Sequence, residues 1–141
     1  METLELIIPT PKQIQLLYTL LLKRTHCISH KKKPTYSEHQ QFVEKHPYRY
    51  WFLARFHSEY IGTIYVKDDN SIGVNLENNP PSEQVNNFIN LILQDIQPLP
   101  PITSIRGSGF YINVAPDNQA LSQALTKRGC SIVQITYKVP I

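Results

Sequence analysis

A chain of 141 residues with a formal net charge of +3 is long enough to bury an apolar core as one domain without disulfide staples. Its two cysteines, Cys27 and Cys130, lie far apart in the chain, and the amino terminus has neither a basic segment nor an unbroken apolar one. Both features favour free thiols in a reducing cytosol. Because no apolar run reaches the roughly 20 residues that span a bilayer, we expect a soluble cytoplasmic protein without membrane contact.

The basic residues are distributed unevenly along the chain. Ten of the fourteen Lys and Arg residues lie in positions 1–67, and residues 68–105 contain none. A nucleic-acid-binding domain is expected to show a basic stripe with interleaved aromatic residues or a recognisable module, and neither is found here. The three lysines at 31–33 are typical of a solvated loop, with contact to an anionic ligand as the alternative. No nucleic-acid partner is predicted.

Apolar spacing in the first half of the chain predicts one strand, two helices and a three-stranded meander. Pro9 stops the first β-favouring run, Pro11 suits the first turn of a helix, and Pro47 ends a shorter second helix. The two four-residue segments between the later β-rich runs are typical of hairpin turns. The predicted elements are a strand at 3–8, a helix at 11–24, a helix N-capped by Thr35 or Ser37 that runs to 46, and strands at 49–56, 61–66 and 71–77.

The second half predicts two more helices and two more strands. Apolar residues recur every three or four positions from Ser82 to Ile96, which indicates a helix with one buried face. A proline-rich connector precedes a strand at 109–116, a helix ended by Gly129 and a final strand at 130–139. This order predicts a single α/β domain over residues 1–141, with a mixed twisted sheet of six to seven strands and about four helices.

The stretch YINVAPDNQALSQALTKRGC, together with the order of elements, resembles the GNAT superfamily of acetyl-CoA-dependent N-acetyltransferases. That family commonly has V-x-P-x-N between a strand and a helix, followed by a G-F pair. Val114, Pro116, Asn118 and Gly129 match this pattern, whereas Cys130 stands in place of the aromatic residue. The segment at 23–54 also looks like the branch that acetylates nucleotide-linked amino sugars and the amino termini of ribosomal proteins.

The resemblance implies transfer of an acetyl group from acetyl-CoA, as co-substrate, to a primary amine of a small molecule. A nucleotide-linked amino sugar is the first candidate acceptor, and the protein is expected to be a monomer or a homodimer. Two other interpretations stay open. One is a catalytically impaired GNAT-fold binding or regulatory module, and the other is the same fold with a different acyl carrier.

The junction ENNPPSEQVNNF at 77–88 departs from the family pattern. In the family, the glycine-rich turn Q/R-x-x-G-x-G/A holds the pyrophosphate of coenzyme A with backbone N–H groups. Pro80 and Pro81 have no N–H to donate, and Glu83 adds a repelling charge, so we expect a neutral cradle of amides with Lys127 and Arg128 as sources of positive charge. The resemblance assigns cofactor contact to Asn75, Leu76, Asn79, Ser82, Glu83, Gln84 and Asn118.

The residues assigned to catalysis lie in sequence patterns that are less specific than the V-x-P-x-N match. Leu125 stands seven positions after Asn118, where many family members have a tyrosine that protonates the leaving thiolate. Glu77, at the end of the fourth predicted strand, best fits the base that deprotonates the amine, and its plain alternative is a surface carboxylate. Tyr111 is assigned to catalysis together with Glu77, with a place in the sheet core as the alternative. The substrate pocket is assigned to Tyr36, His39 and Asn113.

One further cluster combines His26, Cys27 and His30, whose spacing would allow two imidazoles to share a metal on a helix. No additional ligands lie nearby, and the adjacent lysines would repel a cation. A nucleophilic pair of Cys27 and His39 lacks any residue to orient it. No metal is predicted.

Overall fold

The computed structural model describes residues 1–24 and 32–141, which form five strands and four helices. The strands are β1 (Glu2–Leu6), β2 (Tyr50–Phe56), β3 (Glu59–Val66), β4 (Ser71–Leu76) and β5 (Tyr111–Ile112). The helices are α1 (Pro11–Leu22), α2 (Tyr36–Glu44), α3 (Ser82–Asp95) and α4 (Gln119–Arg128). Within these residues, no helix is both long and apolar enough to cross a membrane.

The strands form one mixed sheet in the order β1-β2-β3-β4-β5. The first four are antiparallel, whereas β5 runs parallel to β4 and pairs with it only at Ser71↔Tyr111 and Ile72↔Ile112. The mixed α+β class is therefore confirmed. The predicted six to seven strands are not confirmed, because the residues described form five and the predicted final strand at 130–139 has no ladder partner among them.

Helices cover both faces of the sheet because residues along each strand alternate in direction. On one face Ala54, Ile64 and Val74 pack against α3 and α4 in the larger core cluster. On the other, Trp51 and Leu53 pack against α1 and α2. The two cores together give three layers, with the sheet in the middle.

Local capping chemistry sets the helix ends. Thr35 accepts a hydrogen bond from the Glu38 amide and the Glu38 carboxylate accepts one from the Thr35 amide, which forms the capping box of α2. At the end of α4, Gly129 adopts φ 97°, in the left-handed region that glycine reaches at little cost.

Asn70, in the turn between β3 and β4, holds the proline-rich connector against the sheet. Its fully buried amide donates to the carbonyls of Leu99 (2.9 Å) and Gly107 (3.2 Å), and its Oδ1 accepts from the Leu99 amide (2.8 Å). Its carbonyl also accepts from the Tyr111 amide at 2.9 Å. Asn70 therefore links the β3–β4 turn to the connector through its side chain and to β5 through its backbone carbonyl.

Candidate functional site

A cleft of about 690 Å³ opens on the face of the sheet that carries α1 and α2. This volume lies within the range of about 300–1,000 Å³ that is typical of small-molecule sites. Its floor is formed by β2, β3 and β4, and its walls by α1, α2 and the loop after β4. The polar and aromatic lining residues are Lys23, Arg24, Lys32, Lys33, Glu38, His39, Phe42, Tyr48, Trp51, Thr63, Tyr65, Asn75, Glu77, Asn78, Asn79 and Asn118.

Two stacked tyrosines form part of the floor. The rings of Tyr48 and Tyr65 lie parallel with their centroids 4.1 Å apart. Burial raises the pKa of Tyr48 to about 12 and also raises that of Tyr65, so both phenols are neutral near pH 7. The Tyr65 ring lies over Gly73 on the neighbouring strand, where a Cβ atom would occupy the space of the ring. Both tyrosines line the cleft.

Replacing Gly73 with alanine is expected to displace the Tyr65 ring, since the added methyl group would overlap it. We expect the free energy of unfolding to fall by about 1–3 kcal/mol, as is usual for overpacking. Urea unfolding and near-ultraviolet circular dichroism measure the two effects. The double variant Gly73→Ala/Tyr65→Ala removes the overlap, so it should lose less stability than the sum of the single variants. Strict additivity would contradict this explanation.

The edge of β4 that faces β5 is open beyond its first two residues. The Ser71 carbonyl and the Glu77 amide both bond toward β3, to Lys67 and Ile61 respectively. Because hydrogen-bonding groups alternate along a strand, the N–H and C=O groups of Val74 and Leu76 face the opposite side. There β5 has already ended, at Ile112. The strands separate where the cleft begins.

The junction after β4 turns sharply without glycine. Asn78 and Asn79 adopt φ of 60° and 46°, in the left-handed region that asparagine tolerates better than most residues. Pro81 is the N-cap of α3, and its carbonyl accepts from the amides of Gln84 and Val85. Of the first four backbone amides of α3, from Ser82 to Val85, two are therefore occupied. The amides of Ser82 and Glu83 have no acceptor among the residues described.

Four basic residues line the α1 side of the cleft. Lys33 donates to the carbonyls of Leu21 (2.7 Å) and Arg24 (2.8 Å), so its ammonium group pairs with carbonyl oxygens at the end of α1. Lys23 and Lys32 are exposed at the rim. The cleft is thus locally basic, although it also contains the carboxylates of Glu38 and Glu77.

Two buried N–H donors of the cleft have no hydrogen-bond partner among the residues described. They are Nε of Arg24 and Nε1 of Trp51, a residue that is only 7% exposed. Buried donors are nearly always paired in folded proteins, because an unpaired one costs about 1–3 kcal/mol. This pair of donors is suited to a ligand that brings hydrogen-bond acceptors into the cleft.

His39 joins α2 to α1 from the wall of the cleft. Its Nε2 lies 3.1 Å from the Ile14 carbonyl, and because a carbonyl only accepts, Nε2 carries the proton. Burial lowers the pKa of His39, with the Ile14 bond opposing this effect. Rings of Tyr18 and Tyr36 surround it, at centroid distances of 5.2 and 6.4 Å. His39 is therefore a neutral, packed imidazole at pH 7.

Acid is expected to destabilise the protein through His39 and His46, because burial lowers the pKa of both below the ordinary 6.5. The unfolded chain then binds protons more readily, so the free energy of unfolding should decrease as pH falls from about 6.5 through the folded-state values. Urea unfolding at several pH values above the range of carboxylate titration measures this slope. His39→Gln/His46→Gln should flatten it, whereas the exposed control Gln94→Ala, which removes no titratable group, should not. An unchanged slope in the double variant would contradict this cause.

The structure brings six of the twelve assigned site residues into one cleft: Asn75, Leu76, Glu77, Asn79, Asn118 and His39. The Asn118 side chain also caps α4 by accepting from the Leu121 amide at 3.2 Å. Ser82, Glu83 and Gln84 lie at the start of α3, just beyond the lining residues.

The other assigned residues lie elsewhere. The Tyr111 hydroxyl donates to the Ser108 carbonyl at 3.0 Å, and Asn113 is exposed after β5; neither lines the cleft. Tyr36 packs edge-on against Tyr18 and is 42% exposed. Arg128, expected to supply charge, instead donates to Asn86 and Asn90 on α3. The cluster of His26, Cys27 and His30 lies outside the described residues, among which no metal-binding group is found.

Sequence patterns assigned no role to Tyr65 or Arg24, which the cleft contains. Tyr48 and Trp51 belong to an aromatic run at 48–52 that is typical of core packing, and Lys32 belongs to the lysine triplet. Alternation along β3 would have placed Tyr65 and Thr63 on the face opposite Ile64, but not beside Tyr48.

In comparisons with known proteins, no protein-family model, no curated protein and no solved structure matches this chain.

Proposed function

We propose that this chain is an acetyl-CoA-dependent N-acetyltransferase of the GNAT fold that acts on a small primary amine. The observation that carries the proposal is the separation of β4 from β5 beside a cleft of about 690 Å³. In the family that the sequence resembles, the parallel fourth and fifth strands splay in this way and receive the pantetheine arm between them. We also propose that the chain has the further strands of that fold.

The open edge of β4 suits an extended ligand that carries amides. The N–H and C=O groups of Val74 and Leu76 would pair with the pantetheine amides as a neighbouring strand would. Asn75 and Asn118 both line the cleft beside this edge and offer further polar contacts. The arm would thus run along β4 toward the start of α3.

A pyrophosphate at the junction would use a small set of donors. The amides of Ser82 and Glu83 point out of the first turn of α3, where the helix dipole favours an anion, and Asn79 adds a side-chain amide. The Glu83 carboxylate and the amides already bonded to Pro81 act against binding. Helix-terminus effects amount to about 0.3–2 kcal/mol, so this cradle costs roughly one order of magnitude in affinity relative to a glycine-rich one.

Glu77 is assigned as the base. Glu38, the other carboxylate of the cleft, is already bonded in the capping box, whereas Glu77 has no side-chain partner among the residues described. The amine nitrogen attacks the thioester carbonyl carbon, its proton passes to Glu77, the C–S bond breaks and coenzyme A leaves as a thiolate. Leu125 is buried in the core near α3, so no side-chain acid stands at the family's usual position.

The acceptor is proposed to be an anionic amine with a flat ring, such as a nucleotide-linked amino sugar. Lys23, Arg24 and Lys32 would neutralise phosphate groups, and the unpaired Arg24 Nε would donate to one of them. Tyr48 and Tyr65, which line the cleft, would supply aromatic contacts to the base.

Calorimetric titration of acetyl-CoA, with coenzyme A and desulfo-coenzyme A as comparisons, tests the proposal. We expect micromolar binding that weakens between low and moderate salt. Replacing Asn79 with alanine should weaken it, and the exposed control Asn113→Ala should leave it unchanged. No binding at millimolar ligand would contradict the acetyltransferase assignment.

A second function is a binding or regulatory module that keeps the fold without catalysis. The two prolines of the junction and the occupied amides of Gln84 and Val85 favour it. Binding of acetyl-CoA without release of free thiol, across a panel of anionic and neutral amines, would support this second function.

A further inference from the structure

Residues 131–141 expose an unusual amount of apolar surface. Val133, Ile135, Tyr137 and Val139 are between 69% and 83% exposed, and polar residues occupy most positions between them. This alternation is typical of a strand with one buried face. An unpaired strand of this kind is a site of association, because its apolar face and its backbone groups both lack partners.

A second unpartnered element lies at the edge of the sheet. β5 is hydrogen-bonded to β4 on one side, and it is the last strand of the sheet among the residues described. Phe110, Ile112 and Val114, in and beside this strand, pack against the main core yet are only partly buried. The β5 edge therefore offers both backbone groups and apolar surface to an added strand.

We propose that two copies of this chain associate by exchanging residues 131–141, each segment adding a strand to the β5 edge of the other copy. The segment and the edge are complementary, and every copy carries both. A reciprocal exchange therefore pairs both 131–141 segments with both β5 edges in one closed dimer with two-fold symmetry. An unrelated partner on the β5 edge would leave the 131–141 segment exposed, which argues for a second copy as the occupant.

The size of the contact supports a stable dimer. Each segment exposes five apolar side chains on one face, at Val133, Ile135, Tyr137, Val139 and Ile141. Burying this face of two segments removes on the order of 1,000 Å² of apolar surface, at roughly 60–120 Å² a side chain. Backbone pairing adds to this area, and stable interfaces bury upward of about 1,000 Å² in total.

The mass of the full chain in solution, measured by light scattering after size-exclusion chromatography, is the first test. We expect a dimer at micromolar concentration. Ile135→Lys/Tyr137→Lys should raise the dimer dissociation constant by at least about tenfold, because both changes put charge into the buried face. The control Gln134→Lys/Thr136→Lys adds the same charge on the other face and should keep the dimer. A monomeric full chain, or equal weakening by both pairs, would overturn the proposal.

Disulfide trapping shows which copy supplies the strand. In a background with Cys27→Ser and Cys130→Ser, one tagged chain carries Asn113→Cys and a second, differently tagged chain carries Gln134→Cys. After the two are mixed and oxidised, the exchange predicts a covalent heterodimer. If the bond forms only when both changes are in one chain, and the product has the mass of a monomer, the segment closes on its own sheet and the proposal fails. Circular dichroism of each variant verifies folding.

Discussion

Replacing Asn70 with alanine is expected to lower the free energy of unfolding by about 3 kcal/mol. The substitution removes a fully buried side chain and leaves the Leu99 amide and the carbonyls of Leu99 and Gly107, which are partly shielded from solvent, without their partner. An unsatisfied buried group costs about 1–3 kcal/mol. Asn70 also has φ of 67°, where alanine is strained by roughly 1 kcal/mol or more.

Two matched variants separate these causes. Asn70→Gly keeps the left-handed backbone and loses only the side-chain bonds, so it should be less destabilised than Asn70→Ala. Asn113→Ala removes an exposed asparagine and should change stability by less than about 0.5 kcal/mol. Urea unfolding measures all three. A loss below about 1 kcal/mol in Asn70→Ala would mean that the connector is held by other contacts.

Replacing Glu77 with glutamine is expected to lower kcat for acetyl transfer by about 100- to 1,000-fold, with little change in the affinity for acetyl-CoA. Glutamine keeps the size and the polar contacts of the side chain but cannot accept the proton of the amine. General-base catalysis contributes about 10²–10⁴-fold to rate. Release of free coenzyme A thiol, followed with saturating amine, measures this effect.

A conservative variant distinguishes a base from a positioning residue. Glu77→Asp keeps a carboxylate that can accept the proton and should retain more of kcat than Glu77→Gln, which keeps the side-chain length but cannot accept it. The control Glu59→Gln alters an exposed carboxylate at the start of β3 and should leave kcat unchanged. Equal kcat for Glu77→Gln and wild type would exclude Glu77 as the base while leaving acetyl-CoA binding as a separate question.

The amino-acid sequence by itself determined the elements whose causes are local. The period of three and four in α3 predicted a helix at 82–96, and the structure has Ser82–Asp95 with Phe88 and Ile92 buried. Thr35 was one of two predicted caps and forms a capping box. Propensity, capping and amphipathic spacing act within a few residues, so a single chain read in order reveals them.

Only the tertiary structure decided which distant side chains meet. It stacked Tyr48 on Tyr65, placed Arg24 with Asn118 around one cleft, and tied Arg128 to α3 instead of to that cleft. Alternation predicts which face a strand side chain occupies but not its neighbours across the sheet, because those depend on strand order and register.

The 131–141 segment shows the same limit of sequence-based prediction. Its alternation of apolar and polar residues predicts a strand with one buried face, and this pattern is local. Which surface buries that face is a property of chain topology and association, so the pattern predicted a strand and left its partner open. In the structure the apolar side chains of this segment are exposed, and β5 is the last strand of the sheet among the residues described.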